Sequence, residues 1–209
     1  WSYAWYDENW KSGKEILNRL VSTVARGGTY LLNVGPDGSG RVPAEAAKHL
    51  RVAGDWIKEN PEIVYGAGAS PWGRALPWGD VTVHDGQLNL VIFDWPRDGR
   101  LLIPGLETGI NSASLKSGGE FAEIEFVQRG SWTELVLPAM PVDHPASVVR
   151  LNLNGPVVVD QTHGVHPNTD AVLLAEFADV QGATRKDIRW MEKFGEWKHV
   201  NQVSDWSED

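Results

Sequence analysis

The pattern of apolar and polar positions changes character twice along this 209-residue chain. After an irregular aromatic opening (Trp1, Tyr3, Trp5, Tyr6, Trp10), Ile16, Leu17, Leu20, Val21 and Val24 recur at spacings of one, three and four. That is one face of a 3.6-residue period, and it predicts a helix from Lys14 that Gly27-Gly28 ends. Thr29–Val34 is a short apolar run after glycine and predicts a buried strand. Gly35–Gly40 reads as a loop. Pro43 stands where a first helical residue would, and Glu45 falls in the first turn. Ala46, Ala47, Leu50, Ala53 and Ile57 give this second helix its apolar stripe, and Asn60-Pro61 stops it. Helix, strand, glycine loop, helix is the order of an α/β unit with parallel strands. One strand cannot make a parallel sheet, so residues 1–66 are expected to be the tail of a larger α/β domain.

Beyond Gly66 the period drops toward two. Val81–His84 and Gln87–Trp95 flank Asp85-Gly86, a strong hairpin signal. Asp98-Gly99 turns into Leu101–Ile103, and Gly118-Gly119 separates Ser112–Lys116 from Phe121–Val127. Trp132–Leu137 and Val148–Leu153 complete a set of roughly seven short strands, which predicts an antiparallel β-sandwich over residues 67–160. The pattern shifts again at residues 161–209. Val172–Ala178 is a strand candidate, and Trp190, Trp197 and Trp206 are spread through a charged remainder. The fold class expected is therefore an α/β remnant followed by an antiparallel β-sandwich, with the possible start of a second β-sandwich module. Trp1 is not a start residue and Asp209 follows no terminating pattern, so both ends are expected to be cut.

Charge narrows the partners. Lys and Arg number 19 against 28 Asp and Glu, a formal charge of −9. An acidic chain without a basic cluster argues against nucleic acid, because phosphate neutralisation needs Lys and Arg. No apolar run approaches the roughly 18 to 20 residues of a membrane helix. The chain has no cysteine, which excludes disulfides and thiolate metal sites. Tryptophan is the outlier, 11 of 209 residues. Its flat apolar face and single N–H donor suit sugar rings, although most individual Trp residues are expected to fill cores.

Local chemistry marks no catalytic centre. Glycoside hydrolysis needs two carboxylates flanking the bond, and Asp7-Glu8 is the acidic pair inside the aromatic opening, read as a solvated loop. His163 and His166 have a spacing that would suit a metal on a helix, but Gly164 and Pro167 argue for a loop, so no metal site is expected. Gly35–Gly40 lacks the GxxxxGK[ST] and GxGxxG patterns of phosphate loops and reads as a tight turn. No cofactor is implied.

Several motifs in order carry a resemblance. Trp1-Ser-Tyr3, a helix ending Val24-Ala-Arg-Gly-Gly28, the run Thr29-Tyr-Leu-Leu-Asn-Val-Gly-Pro-Asp-Gly38, and Gly54-Asp-Trp-Ile-Lys-Glu-Asn60-Pro-Glu-Ile-Val-Tyr65 together resemble the end of the catalytic domain of α-L-fucosidases, glycoside hydrolase family 29. Ser2, Thr29 and Pro61 depart from the Gly, Asn and Gly of the family pattern. The resemblance implies the end of a (β/α) barrel in residues 1–66 and a C-terminal sandwich after it. It implies a retaining exo-hydrolase that removes terminal α-L-fucose from glycans, with its nucleophile and acid/base upstream of this chain. The missing N-terminal catalytic segment would then be a partner, along with a fucosylated oligosaccharide or glycoconjugate. Trp1 matches the family's aromatic contact to the fucose ring, while Asn33, Gly35 and Pro36 match a structural turn. Family members act outside the cytoplasm or in lysosomes, so an extracellular, periplasmic or lysosomal location is expected. Residues 171–209 faintly resemble the opening of a carbohydrate-binding sandwich. The alternative reading is a non-catalytic carbohydrate-binding or scaffold module of a glycoside hydrolase.

Overall fold

The computed structural model describes residues 3–130, 132–160, 180–193 and 196–205. They fall into two compact units, one within Ser2–Gly164 and one within Val165–Asp209.

In the first unit, helix α1 spans Gly13–Val24 and helix α2 spans Ala44–Glu59. The start of α1 is fixed by a reciprocal capping box. The Glu15 N–H donates to the Ser12 hydroxyl (3.2 Å), and the Ser12 N–H donates to the Glu15 carboxylate (2.7 Å). These bonds, the backbone one foremost, hold the Glu15 carboxyl below its ordinary value. Gly27, at φ 69°, and Gly28 close the helix as the sequence predicts, with the Gly28 N–H returned to the Thr23 carbonyl. Pro43 precedes α2 rather than forming its first residue, and Asn60 leads into a 3₁₀ turn at Pro61–Ile63.

The expected strand Thr29–Val34 does not form: those residues belong to no sheet. Their exposure still alternates. Leu32 packs toward the helices, while Leu31 is 82% exposed. This is extended backbone with strand periodicity and no partner among the described residues. A strand exists only through a neighbour's ladder, and the apolar run could not reveal that the neighbour was lacking.

Eight strands follow. They are β1 (Gly79–His84), β2 (Gln87–Ile92), β3 (Arg100–Pro104), β4 (Ile110–Ser117), β5 (Glu120–Glu123), β6 (Phe126–Arg129), β7 (Trp132–Val136) and β8 (Ser147–Leu153). All pairings are antiparallel, in a five-stranded sheet ordered β1-β2-β8-β4-β5 and a three-stranded sheet ordered β3-β7-β6. The β1–β2 turn has positive φ at both Asp85 and Gly86, the type I′ geometry that Asp-Gly favours. The single strand expected at Phe121–Val127 is two. β5 pairs with β4 and β6 pairs with β7, so the chain leaves one sheet for the other at Ile124-Glu125.

Alternation along β2 and β8 explains how three layers stack. Leu88, Leu90 and Ile92 of β2, with Val149 and Leu151 of β8, join a core with Leu101, Ile103 and Leu135 of the three-stranded sheet. Val91, Phe93 and Val148 point the other way and pack with Ile16, Leu17, Val21, Ala53 and Trp56 of the helices. The five-stranded sheet therefore has one face on the smaller sheet and the other under α1 and α2. Trp72 and Trp78 are buried as expected of most Trp, their indole N–H groups donating to the Pro104 and Leu102 carbonyls (2.7 and 2.9 Å).

Polar ties hold the helical layer down. Arg26 reaches the buried carboxylate of Asp80 on β1 (3.0 Å). Trp56 donates its indole N–H to the Ala146 carbonyl (2.8 Å). Arg150 on β8 pairs with Glu62 (2.8 Å) and lies over the Phe121 ring. Buried Lys116 on β4 donates to the Glu59 carbonyl and to Asn60 Oδ1 (3.0 Å) at the end of α2. Asp143 stands near the same group. Burial and the neighbouring Glu59 carboxylate raise its pKa, against the opposing pull of Lys116 and the Gly118 N–H. An acid whose folded pKa is raised binds its proton more tightly in the native state. Its contribution is complete below the unfolded value of about 4 and is lost as pH rises through the folded value. Asp143→Asn should remove that component. In urea titrations, the stability difference between wild type and variant should shift in the variant's favour as pH rises from about 4 to 6. A difference that is flat with pH would show that Asp143 does not titrate in this setting.

The second unit contains β9 (Thr184–Lys193) and β10 (Glu196–Ser204), paired as an antiparallel hairpin. Trp190 lies opposite Lys198, Ile188 lies opposite Val200, and the Ile188, Trp190 and Val200 side chains are exposed. Lys186 and Asp205 form an ion pair (3.2 Å) that holds the Asp205 carboxyl below its ordinary value. The strand expected at Val172–Ala178 lies outside the described residues, as do His163, His166 and Trp206.

Candidate functional site

The residues that carry the sequence motifs flank α1. Before it runs the aromatic segment. Trp1, the expected sugar contact, lies with Ser2 outside the described residues. From Tyr3 the chain enters a four-residue turn in which the Asp7 N–H donates to the Ala4 carbonyl (3.1 Å). Trp5 and Tyr6 occupy its two corners, 83% and 74% exposed. Their rings meet edge to face, with centroids 5.7 Å apart and planes at 89°. The Asp7 carboxylate accepts from the Asn9 N–H (2.9 Å), which ties the turn to the capped start of α1. Asp7 and Glu8 are exposed, in keeping with the solvated loop read from sequence.

After α1 comes the Asn33, Gly35, Pro36 motif. Asn33 and Pro36 are exposed on the extended segment. The loop that follows is built around one side chain. Asp37 accepts from the Ser39 hydroxyl (2.6 Å), the Ser39 N–H (2.8 Å) and the Arg41 N–H (3.0 Å). These three bonds, the hydroxyl's foremost, hold the Asp37 carboxyl below its ordinary value. Asp37 is thus an ionised turn organiser rather than a proton donor, and Gly35–Gly40 is the tight turn expected. No group of three or more metal-capable side chains occurs among the described residues. Sequence reasoning missed Asp80, Lys116 and Arg150. The one available signal was a charge breaking into an apolar strand, as at Leu115-Lys116.

Residues 1–62 match the family model for alpha-L-fucosidase. The likeness is to the α-L-fucosidases. An α-L-fucosidase of Dictyostelium discoideum is 34% identical over 112 residues, 49% of this chain and 24% of that protein. The chain thus spans about a quarter of that relative's length. The solved α-L-fucosidase of Vibrio sp. strain EJY3 superposes with a TM-score of 0.66 at 28% identity, over 77% of this chain and 29% of that one. A family 29 fucosidase of Bacteroides thetaiotaomicron, trapped as a covalent intermediate with 2-fluoro-fucosyl fluoride, shares the fold at a TM-score of 0.61. It is 22% identical, over 69% of this chain and 33% of its own. These fucosidases are glycoside hydrolases. The fucosidase signature ends at Glu62, whose carboxylate is the one that Arg150 of β8 grips. The signature and the sheets are therefore bound into one structural unit.

Proposed function

We propose that this chain is the C-terminal portion of a retaining exo-α-L-fucosidase acting on terminal α-L-fucose of glycans. In this reading residues 1–66 are the end of the catalytic (β/α) barrel, and residues 67–160 are a β-sandwich that buttresses it. The nucleophile and acid/base belong to a preceding segment. The observation that carries the reading is the match of residues 1–62 to the fucosidase family, on a helical layer tied to the sheet by Arg26, Trp56, Lys116 and Arg150. A barrel sets its active site at the C-terminal ends of its strands; in this scheme Trp1 contributes to the wall of the site, while Asn33, Gly35 and Pro36 fix a structural turn below it. Trp1 offers an apolar face to the fucose C–H surface. The cellular location that goes with this reading is extracellular, periplasmic or lysosomal.

The test is hydrolysis of an aryl α-L-fucoside. The purified chain alone should give no turnover above blank. The chain fused behind the barrel segment of a fucosidase relative should regain turnover, and Trp1→Ala in that fusion should lower kcat/KM. Turnover by the chain alone would place the catalytic pair within these 209 residues and overturn the division of labour.

A further inference from the structure

Three buried polar atoms, Thr82 Oγ1, His84 Nδ1 and Asn89 Nδ2, collect on the β1–β2 hairpin without a hydrogen-bond partner among the described residues. Thr82 and Asn89 stand directly opposite each other on the paired strands, and both are fully buried. Val81 and Val83 belong to the core shared with the smaller sheet, so Thr82 between them points to the helical side, and His84 follows on the same face. Asn89 shares that side with Val91. Val and Leu would fill these two positions with nearly the same shape and no polar atom to satisfy, so a hydroxyl and an amide left unpaired there would be costly.

Arg150 fixes which way Asn89 faces. Its Nε, which can only donate, gives a hydrogen bond from β8 to Asn89 Oδ1 (3.3 Å). β2 lies between β8 and β1, so the amide nitrogen is turned the other way, toward Thr82. Residues 61–66 roof this face. Glu62 takes the other end of the same guanidinium (2.8 Å), Ile63 is fully buried, and a Cβ built at Gly66 would lie 3.5 Å from the His84 ring. Directly opposite side chains have Cβ atoms about 4.5–5.5 Å apart. Two hydrogen bonds of about 2.9 Å through one oxygen span a separation of that size.

We propose that an ordered internal water bridges Asn89 Nδ2 and Thr82 Oγ1 beneath residues 61–66. It accepts from the Asn89 amide and donates to the Thr82 hydroxyl oxygen. Its second hydrogen serves His84 Nδ1, an acceptor when the ring proton sits on Nε2, which faces the Asp85 carboxylate (3.5 Å). That gives about three hydrogen bonds, the usual number for a buried water. The bridge completes a polar chain from Glu62 through Arg150 and Asn89 to Thr82, joining the turn after α2 to β1. Thr82 and Asn89 are already fully buried within this chain, so the site does not depend on the fucosidase reading or on what precedes Trp1.

The experiment is NMR of the full 209-residue chain, reading cross-relaxation between water and the side-chain amide protons of Asn89. Wild type should give a cross-peak of the sign that marks a water carried by the tumbling protein. Thr82→Val, which keeps the shape and removes the hydroxyl, should lose it. Thr82→Ser should keep it. Thr82→Ala should also keep it, because the smaller side chain leaves the water its place on Asn89, and this variant has no hydroxyl through which exchange could relay the signal. Absence of the cross-peak in wild type overturns the proposal. Loss in Thr82→Ala as well as in Thr82→Val assigns the signal to hydroxyl relay and overturns it too. Full intensity in Thr82→Val removes Thr82 from the site. Should Thr82→Val not fold by circular dichroism, a crystal structure of the wild-type chain decides: solvent density within hydrogen-bond distance of both atoms supports the bridge, and its lack there overturns it.

Discussion

Trp56→Ala is expected to destabilise the Ser2–Gly164 unit by about 3–5 kcal/mol, the range for removing a buried aromatic side chain. Trp56 is 4% exposed, sits in the α2 stripe, and reaches across to Val91, Phe93, Ala146 and Val148 on the outer face of the five-stranded sheet. Two losses combine in the variant. One is apolar area and the cavity left behind. The other is the hydrogen bond to the Ala146 carbonyl, whose oxygen would be stranded under the helix. Trp56→Phe separates them. It keeps most of the area and loses the N–H, and should cost about 1–3 kcal/mol. Urea unfolding followed by circular dichroism reads both, and a cost below about 1 kcal/mol for the alanine variant would mean that α2 is not anchored through Trp56.

Gly79→Ala should be as damaging although it adds a single methyl group. Gly79 has φ 155°, and a Cβ built there would overlap the Val91 carbonyl oxygen on the paired strand. Backbone on both sides leaves nothing flexible to yield. Gly79 is also where the loop bearing Trp72 and Trp78 enters β1, through reciprocal Leu76–Gly79 hydrogen bonds. Strain and overpacking each cost about 1–3 kcal/mol, so a loss of about 3 kcal/mol or more is expected, or insoluble expression. Gly54→Ala is the matched comparison. Gly54 lies inside α2 with open space at its Cβ position, and the change should stabilise by up to about 1 kcal/mol. Similar effects at the two positions would show that the Val91 clash is relieved by strand movement.

How much of this was legible follows from which forces are local. The two helices were readable because Ile16, Leu17 and Val21 in the first, and Leu50, Ala53 and Ile57 in the second, repeat at helical spacing and glycine or proline closes the run. The β1–β2 hairpin was readable because Asp85-Gly86 dictates its own turn geometry. Thr29–Val34 was misjudged because a strand is defined by a partner that the segment's composition does not encode. The sheet change at Ile124-Glu125 was invisible for the same reason: β5 and β6 differ in their neighbours, not in their residue types. The candidate site divided along a similar line. Motif order pointed to the fucosidases, and the family match over residues 1–62 agrees. The exposure of Trp5 and Tyr6 depended on a turn whose corner positions the aromatic run did not announce. Ion pairs such as Asp80 with Arg26, 54 positions apart, leave no trace in either local stretch.

The layered burial of β2 and β8 divides their residues by parity into two independent sets. Leu88, Leu90 and Ile92 belong to the core shared with the smaller sheet and the Trp72–Trp78 loop, and Val91 and Phe93 to the core shared with the helices. A protein engineer who wished to seat a different helical cap on this sheet would have a short list to redesign: Val91, Phe93, Ala146 and Val148, together with the polar anchors Asp80, Lys116 and Arg150. The inner face would be left untouched. The same sheet is in that sense a two-sided connector, and drift in the sequence of the cap can be absorbed on one side without disturbing the packing on the other.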